Sequence, residues 1–262
     1  LVNRYLFFDV PISLLALLVL LLMLACSEIG FWAGWKARTR LDEAVRSRNA
    51  VFESAILAVL GLLMGFTMSM AVTRFELRRQ LVVDEANAIG TTWLRSKMMP
   101  APDSTEFAGL LRQYVDTRLR YSPAMKLDDL PTVRAEGARL QSQLWSRAAG
   151  FAVKDRSVNA SLLLQSLNQS LDLEATRWAA FWGHVPQSVI FINVAIALLA
   201  AGILGYGFGL VGKRHLVPIV LLALAITGVL AVIVDLDRPW RGLIQVSQQP
   251  MIDVQKQLAD QR

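Results

Sequence analysis

One cysteine, two histidines and charge on only 18% of the residues set the first limits on this chain. A lone cysteine, Cys26, rules out an intramolecular disulfide and a cysteine-built metal site. His184 and His215 flank the two ends of one apolar run, so they are poorly placed to share a metal. Neither begins a Ser or Cys nucleophile constellation. No glycine-rich phosphate loop stands before a helix. No Asp, Glu or His lies in the middle of an apolar run, where a proton relay would need it. Strand-like alternation is also missing. These absences argue against an enzyme and a proton-coupled pump, and they leave no cofactor and no metal to expect.

What the chain has instead is apolar residues, 54% of the total, with a mean hydropathy of +0.42. The excess is concentrated in four runs: 6–26 (broken only by Asp9), 54–73, 185–212 and 216–234. A helix crosses the hydrocarbon with about 20 residues, so each run is long enough to span. Leu24-Ala25-Cys26 has the look of a lipoprotein cleavage site. The thin positive flank and Asp9 favour a retained span over a cleaved signal. The expected fold is therefore an all-α membrane protein, with four transmembrane helices in two pairs and a helical extramembrane domain between spans 2 and 3.

The expected organisation is a first pair over 1–73, with a basic linker at 27–50. An extramembrane segment follows at 74–184, then a second hairpin at 185–234 and a charged, partly amphipathic tail at 235–262. Only Lys213-Arg214-His215 joins spans 3 and 4, which predicts a tight hairpin. The net charge of +6 suits membrane-edge loops and anionic lipid rather than nucleic acid. Lys and Arg balance on the two sides of the spans, so the positive-inside rule assigns no orientation.

The long segment reads as helical. A stripe of Ser54, Ala58, Gly61 and Gly65 passes through Val72 to Phe75, Val82, Ala86, Ile89 and Trp93. That predicts one helix face kept in phase beyond span 2, interrupted by Arg79. Asp103 and Glu106 have capping-box spacing. Pro131 suits a helix start. Leu163, Leu167, Leu171 and Trp178 mark a helix over 159–182. Pro250 opens a short one with Met251, Val254 and Leu258 on one side.

Gly207, Gly209 and Gly212 fit GxGxxG, but they sit at the end of an apolar run and not after a strand. Helix packing through small residues is the better reading, as for Gly205/Gly209 and Gly61/Gly65. Asn193, inside span 3, is expected to hydrogen-bond between helices. Two charged clusters remain, each just past a span. One comprises Arg74, Glu76, Arg78, Arg79, Asp84 and Glu85; the other is Asp235, Asp237, Arg238 and Arg241. They either anchor helix ends and satisfy one another, or form a charged ring at a pore mouth. In the first case Asp235 and Asp237 pair with arginines of the first cluster, and Asp237 caps a new helix turn at Pro239. Trp240 then suits the interface.

The stretches GFTMSMAVTRFELRRQLVVDEANAIGTTWLR (65–95) and DLDRPWRGLIQVSQQPM (235–251) resemble the two signature regions of a bacterial membrane family with a bestrophin-like domain. The likeness runs from span 2 to the tail. Bestrophins are pentameric anion channels with four spans, cytosolic termini, and cytosolic helices that prolong the second span. The resemblance implies that span 2 lines a pore, with Gly61, Gly65, Phe66 and Met70 as candidates. It also implies a homo-oligomer, pentameric by resemblance, in the cell inner membrane, with the long segment and both termini cytoplasmic. Span 2 lacks the proline of the bestrophin neck. Asp235 and Asp237 alone stand where eukaryotic bestrophins carry an acidic calcium clasp, and a hard cation wants six or more oxygen ligands. The first reading is thus an ion channel, anion-conducting by resemblance. The alternatives are a non-conducting scaffold or signalling module whose helical extension binds a partner, or an accessory transporter subunit.

Overall fold

The structure, a computed structural model, describes residues 10–39, 43–121, 125, 127–238 and 242–260, the side chains of 43–48 and 127 apart. All regular structure among them is helical: α1 (Ile12–Ala37), α2 (Glu43–Ser96), α3 (Asp103–Leu119), α4 (Leu130–Lys154), α5 (Val158–Trp182), α6 (Gln187–Val211), α7 (Leu216–Asp237) and α8 (Gln249–Ala259). Four candidate spans are long and apolar enough to cross a membrane, within Ile12–Ala37, Asn49–Ser96, Val158–Val211 and Leu216–Asp237. The chain is an all-helical membrane protein. It divides into two compact units, residues 1–74 with 184–244 and residues 75–183 with 245–262.

The first helix lies later than the run 6–26 predicts. It starts after Pro11, whose fixed φ suits a helix start, and continues to Ala37. The region expected as a basic linker, 27–50, is therefore mostly helix. The physical reason lies in the glycines. Gly34 is buried in α1, and a Cβ on it would fall 2.1 Å from the carbonyl oxygen of Tyr206. On Gly30 it would fall 2.0 Å from that of Gly202. From α6, Gly205 meets the backbone of Ser27 and Gly209 that of Phe31 in the same way. Backbone lies on backbone, which is how helices associate where lipid removes the hydrophobic drive. Helix α6 therefore packs closely on α1, and far more than on the α7 expected from the short 213–215 turn. Met23, Leu60, Met64, Ala197, Ala200, Ala201, Ala223, Ile226 and Leu230 form the core of this unit. Asn193 donates to Thr67 Oγ1 at 2.9 Å, joining α6 to α2 as expected.

Water, not lipid, drives the second unit. Trp93, Phe107, Leu111, Tyr114, Leu140, Leu144, Leu163, Leu167, Met251 and Leu258 bury against one another. Each such side chain contributes about 1.5–3 kcal/mol on leaving water. The rows read for α5 and α8 supply buried faces here through Leu163, Leu167, Met251 and Leu258, and Pro131 stands in the first turn of α4. The capping box does not form. Asp103 is the first residue of α3, its N-cap is Pro102, and no side chain caps it. The carboxylates of Asp103 and Glu106 instead lie in the first turn, where the helix dipole favours them.

Helix α2 is unbroken over 54 residues, about 80 Å at 1.5 Å per residue. The stripe read along it does not hold one face. Ser54, Ala58, Gly61 and Gly65 are exposed, whereas Val82, Ala86, Ile89 and Trp93 are buried. A seven-residue repeat drifts about 20° per heptad on a straight helix. Five heptads turn the stripe by about 100°, from the open side to the packed one. The row that is buried in the first unit is Leu60, Met64, Thr67 and Ala71. Arg79 interrupts nothing: its side chain is 62% exposed and pairs with Glu76 at 3.6 Å.

Candidate functional site

Three groups of residues carry the chemistry. The first is the uncovered side of α2. A Cβ added to Gly61 or Gly65 would meet nothing within 4 Å. Phe66 is 61% exposed and Met70 36%. These four do not share one face. At 3.6 residues per turn, Met70 sits about 180° around the helix from Gly61 and about 140° from Gly65. Phe66 lies about 40° from Met70 and about 100° from Gly65. Phe66 and Gly65 each stand about 130° from the centre of the buried row of Leu60, Met64, Thr67 and Ala71, on either side of the direction opposite it. The uncovered side is thus small on one half and bulky on the other, with Gly65 and Phe66 bordering its middle.

The second group is the exit of α7. The Asp235 carboxylate is buried and accepts the backbone N–H of Leu243 at 3.0 Å and of Ile244 at 2.8 Å. Gly242, at φ +127°, makes this return possible, and its Cβ would strike the carboxylate. Asp235 therefore binds backbone amides, and among the described residues it forms no ion pair with the 73–95 arginines expected to hold it. Asp237 is the last residue of α7, and the turn at Pro239 that it was expected to cap lies outside the described residues. Its Oδ1 accepts the N–H of Val185 at 2.9 Å, and His184 Nδ1 stands 3.3 Å from its Oδ2. Arg238 donates to the carbonyl of Val10 at 2.7 Å. Pro239, Trp240 and Arg241 lie outside the described residues.

The third group is in the water-driven unit. Arg78 is buried and donates to the carbonyls of Ala180 (3.2 Å) and Gly183 (2.7 Å), the open acceptors at the end of α5. Arg78→Ala is expected to cost about 1–3 kcal/mol, the penalty of leaving such acceptors unmet. Thermal unfolding of the purified protein measures it. Asp84 accepts from Gln80 at 2.9 Å. Arg74 is half-buried.

Glu85, fully buried on α2, is the centre of an ion network. Arg118 of α3 grips it twice, Nε to Oε1 at 2.7 Å and Nη2 to Oε2 at 3.2 Å. Arg177 of α5 also donates to Oε2. Arg118 Nη1 reaches Glu174 at 3.3 Å and its guanidinium lies 4.8 Å from the Tyr121 ring centre. Burial works to push the Glu85 carboxyl up, but Arg118 and then Arg177 outweigh it and hold it below the usual range. Burial pushes the Tyr114 hydroxyl up, well above its ordinary value. Its oxygen accepts from Gln141 of α4 at 3.3 Å. Two cations and two carboxylates compensate one another out of water, which locks helices together and leaves no surface for a ligand. Sequence reading found Glu85 but not Arg118, Arg177 or Glu174. A signal was present: Arg118 continues the apolar row of Phe107, Leu111 and Tyr114. A charge on such a row needs a buried partner.

Among the described residues, no group of three or more His, Cys, Asp or Glu side chains could hold a metal ion.

Residues 19–251 match the family described as the bestrophin-like domain. The chain belongs to the bestrophin-like family. No curated protein matches it. Its fold is similar to solved structures. One is a crystal structure of a membrane protein variant, with TM-score 0.72 and 14% identity, covering 94% of this chain and 97% of that one. Two others are crystal structures of point variants of a bacterial bestrophin homolog from Klebsiella pneumoniae. Their TM-scores are 0.70 and 0.69, both at 15% identity, covering 96% and 93% of this chain and 98% and 97% of those. At such identity the likeness is one of fold.

Proposed function

We propose that the chain assembles with copies of itself into an ion channel of the inner membrane, with α2 lining the pore. The observation that carries this reading is the uncovered side of α2. One protomer packs the row of Leu60, Met64, Thr67 and Ala71 and leaves most of the helix circumference open along its membrane-crossing part. Rings of copies cover both flanks of such a helix and leave its middle strip facing the axis. The strip opposite the packed row, bordered by Gly65 and Phe66, then faces the lumen. Gly61, with Gly65 beside it, gives one flank a surface that admits a neighbour's backbone or bulky side chain, and Met70 stands on the other flank.

Anion selectivity, five copies, and a cytoplasmic long segment with cytoplasmic termini follow from the family likeness. In this arrangement the arginine-rich 74–79 stretch stands just beyond the lumen-lining part of α2. Its Arg74 and Arg79 are the members that reach solvent.

The test is chloride and potassium flux through purified protein in liposomes. Phe66→Ala is expected to raise conductance several-fold by widening a constriction, and Met70→Ala to change it less. Unchanged currents in both remove α2 from the pore. An intact oligomer that passes neither ion turns the reading to a scaffold that binds a partner.

A further inference from the structure

Aromatic rings and cations converge where α1 ends beside the α6–α7 turn. The last turns of α1 present Trp32 and Trp35, 51% and 40% exposed, with ring centres 5.8 Å apart and nearly perpendicular. Gly212 takes the left-handed conformation (φ +76°) that ends α6 and sends Lys213, Arg214 and His215 back beside α1. Arg214 lies 4.8 Å from the Phe31 ring centre and 5.9 Å from that of Trp32. It also pairs with Glu28 at 3.3 Å. Arg38 stacks on Trp35 at 4.9 Å. A Cβ on Gly212 would come within 2.8 Å of the Arg38 guanidinium, so Arg38 is packed against the turn. Lys36 and Lys213 are exposed beside them. Arg38, Arg214 and the exposed Lys36 and Lys213 thus meet at one corner, with Arg214 paired to Glu28.

We propose that this corner binds the phosphate headgroup of an anionic phospholipid, with Trp32 and Trp35 against its glycerol and first acyl carbons. Three features select that occupant. The corner lies at the ends of two apolar helices that cross the membrane, where headgroups are the nearest chemistry. Its two exposed lysines, Lys36 and Lys213, offer charge opposite to an anionic phosphate. Two of its cations are held by stacking on rings, so less freedom is lost on binding than from a free side chain. The proposal stands whether or not the protein conducts.

The full-length protein is placed in phosphatidylcholine vesicles containing a minor fraction of either brominated phosphatidylglycerol or brominated phosphatidylcholine. Tryptophan quenching is read against a Trp32→Phe/Trp35→Phe protein, which isolates these two rings. Phosphatidylglycerol is expected to quench them with at least about a fivefold preference, given about 1 kcal/mol per basic residue near the surface. Lys36→Gln/Lys213→Gln, which leaves the ring contacts and the Glu28 pair in place, is expected to remove most of that preference. Adding Arg214→Gln removes the rest. Equal quenching by both lipids, or a preference unchanged in the variants, overturns the proposal. Two further results also overturn it. One is no quenching by either lipid, which means that protein covers the corner. The other is loss of the preference when inorganic phosphate is added, which makes it a site for a free anion.

Discussion

Glu85→Gln is expected to lower stability by about 3–5 kcal/mol, the cost of leaving a buried cation without its partner. The variant keeps the shape of the side chain and removes the charge. Arg118 then keeps only Glu174, and Arg177 loses its carboxylate (both guanidiniums stay out of water). The unit built from α3, α4, α5 and α8 is expected to melt well below the native protein in detergent, followed by circular dichroism. The pH dependence separates this role from simple packing. The folded carboxyl titrates below its unfolded value, which is about 4.3. Its contribution is therefore fully present above about pH 4.3 and is lost as pH falls through the lower folded value. The gap between native and Glu85→Gln proteins is expected to be constant near neutrality and to shrink in acid. A gap that stays the same down to the acid limit shows that the charge of Glu85 does not hold the network.

The Glu85 network also shows where sequence reading stops. Four spans, the continuation of the second as helix and the buried rows of α5 and α8 were legible, because hydropathy and helical period report burial, although the single face read along α2 drifts out of register over five heptads. The partners of Glu85 were not. Arg118 and Arg177 lie on separate helices from Glu85 and from each other, and only the packed unit decides which cation meets which carboxylate. Asp235, at the exit of α7, was misread for a related reason. It looked like an ion-pair partner because arginines were the visible complement. It instead takes backbone amides of its own return turn. Backbone donors are the same at every position, so a sequence gives no sign of which one a carboxylate will choose. The family likeness came from long quoted stretches, and residues 19–251 bear it out.

The small-residue pairs make the second large prediction, since two pairs that read alike in sequence are placed oppositely. Gly205 and Gly209 lie on the backbone of α1, whereas a Cβ on Gly61 or Gly65 would meet nothing within 4 Å among the described residues. On Gly205 a methyl would sit 2.0 Å from the Ser27 carbonyl oxygen, a distance at which a helix must move. Overpacking of this kind costs about 1–3 kcal/mol or more. No flexible side chain is there to give way, so Gly205→Ala is expected at the upper end and Gly205→Val to prevent folding of the membrane unit. Yield of monodisperse protein and its melting temperature measure both. Gly61→Ala and Gly65→Ala, by contrast, are expected to leave the protomer's stability within about 0.5 kcal/mol, the ordinary range for open surface sites. Their effect appears in the oligomer. If copies approach on that flank, Gly65→Leu keeps the protomer folded and lowers the oligomer fraction in size-exclusion light scattering. If Gly65→Leu assembles normally while Gly205→Val does not fold, only the Gly205 contact is a helix seam and the flank of α2 faces lipid. That outcome would place the copies, and with them any pore, against a different side of the protein.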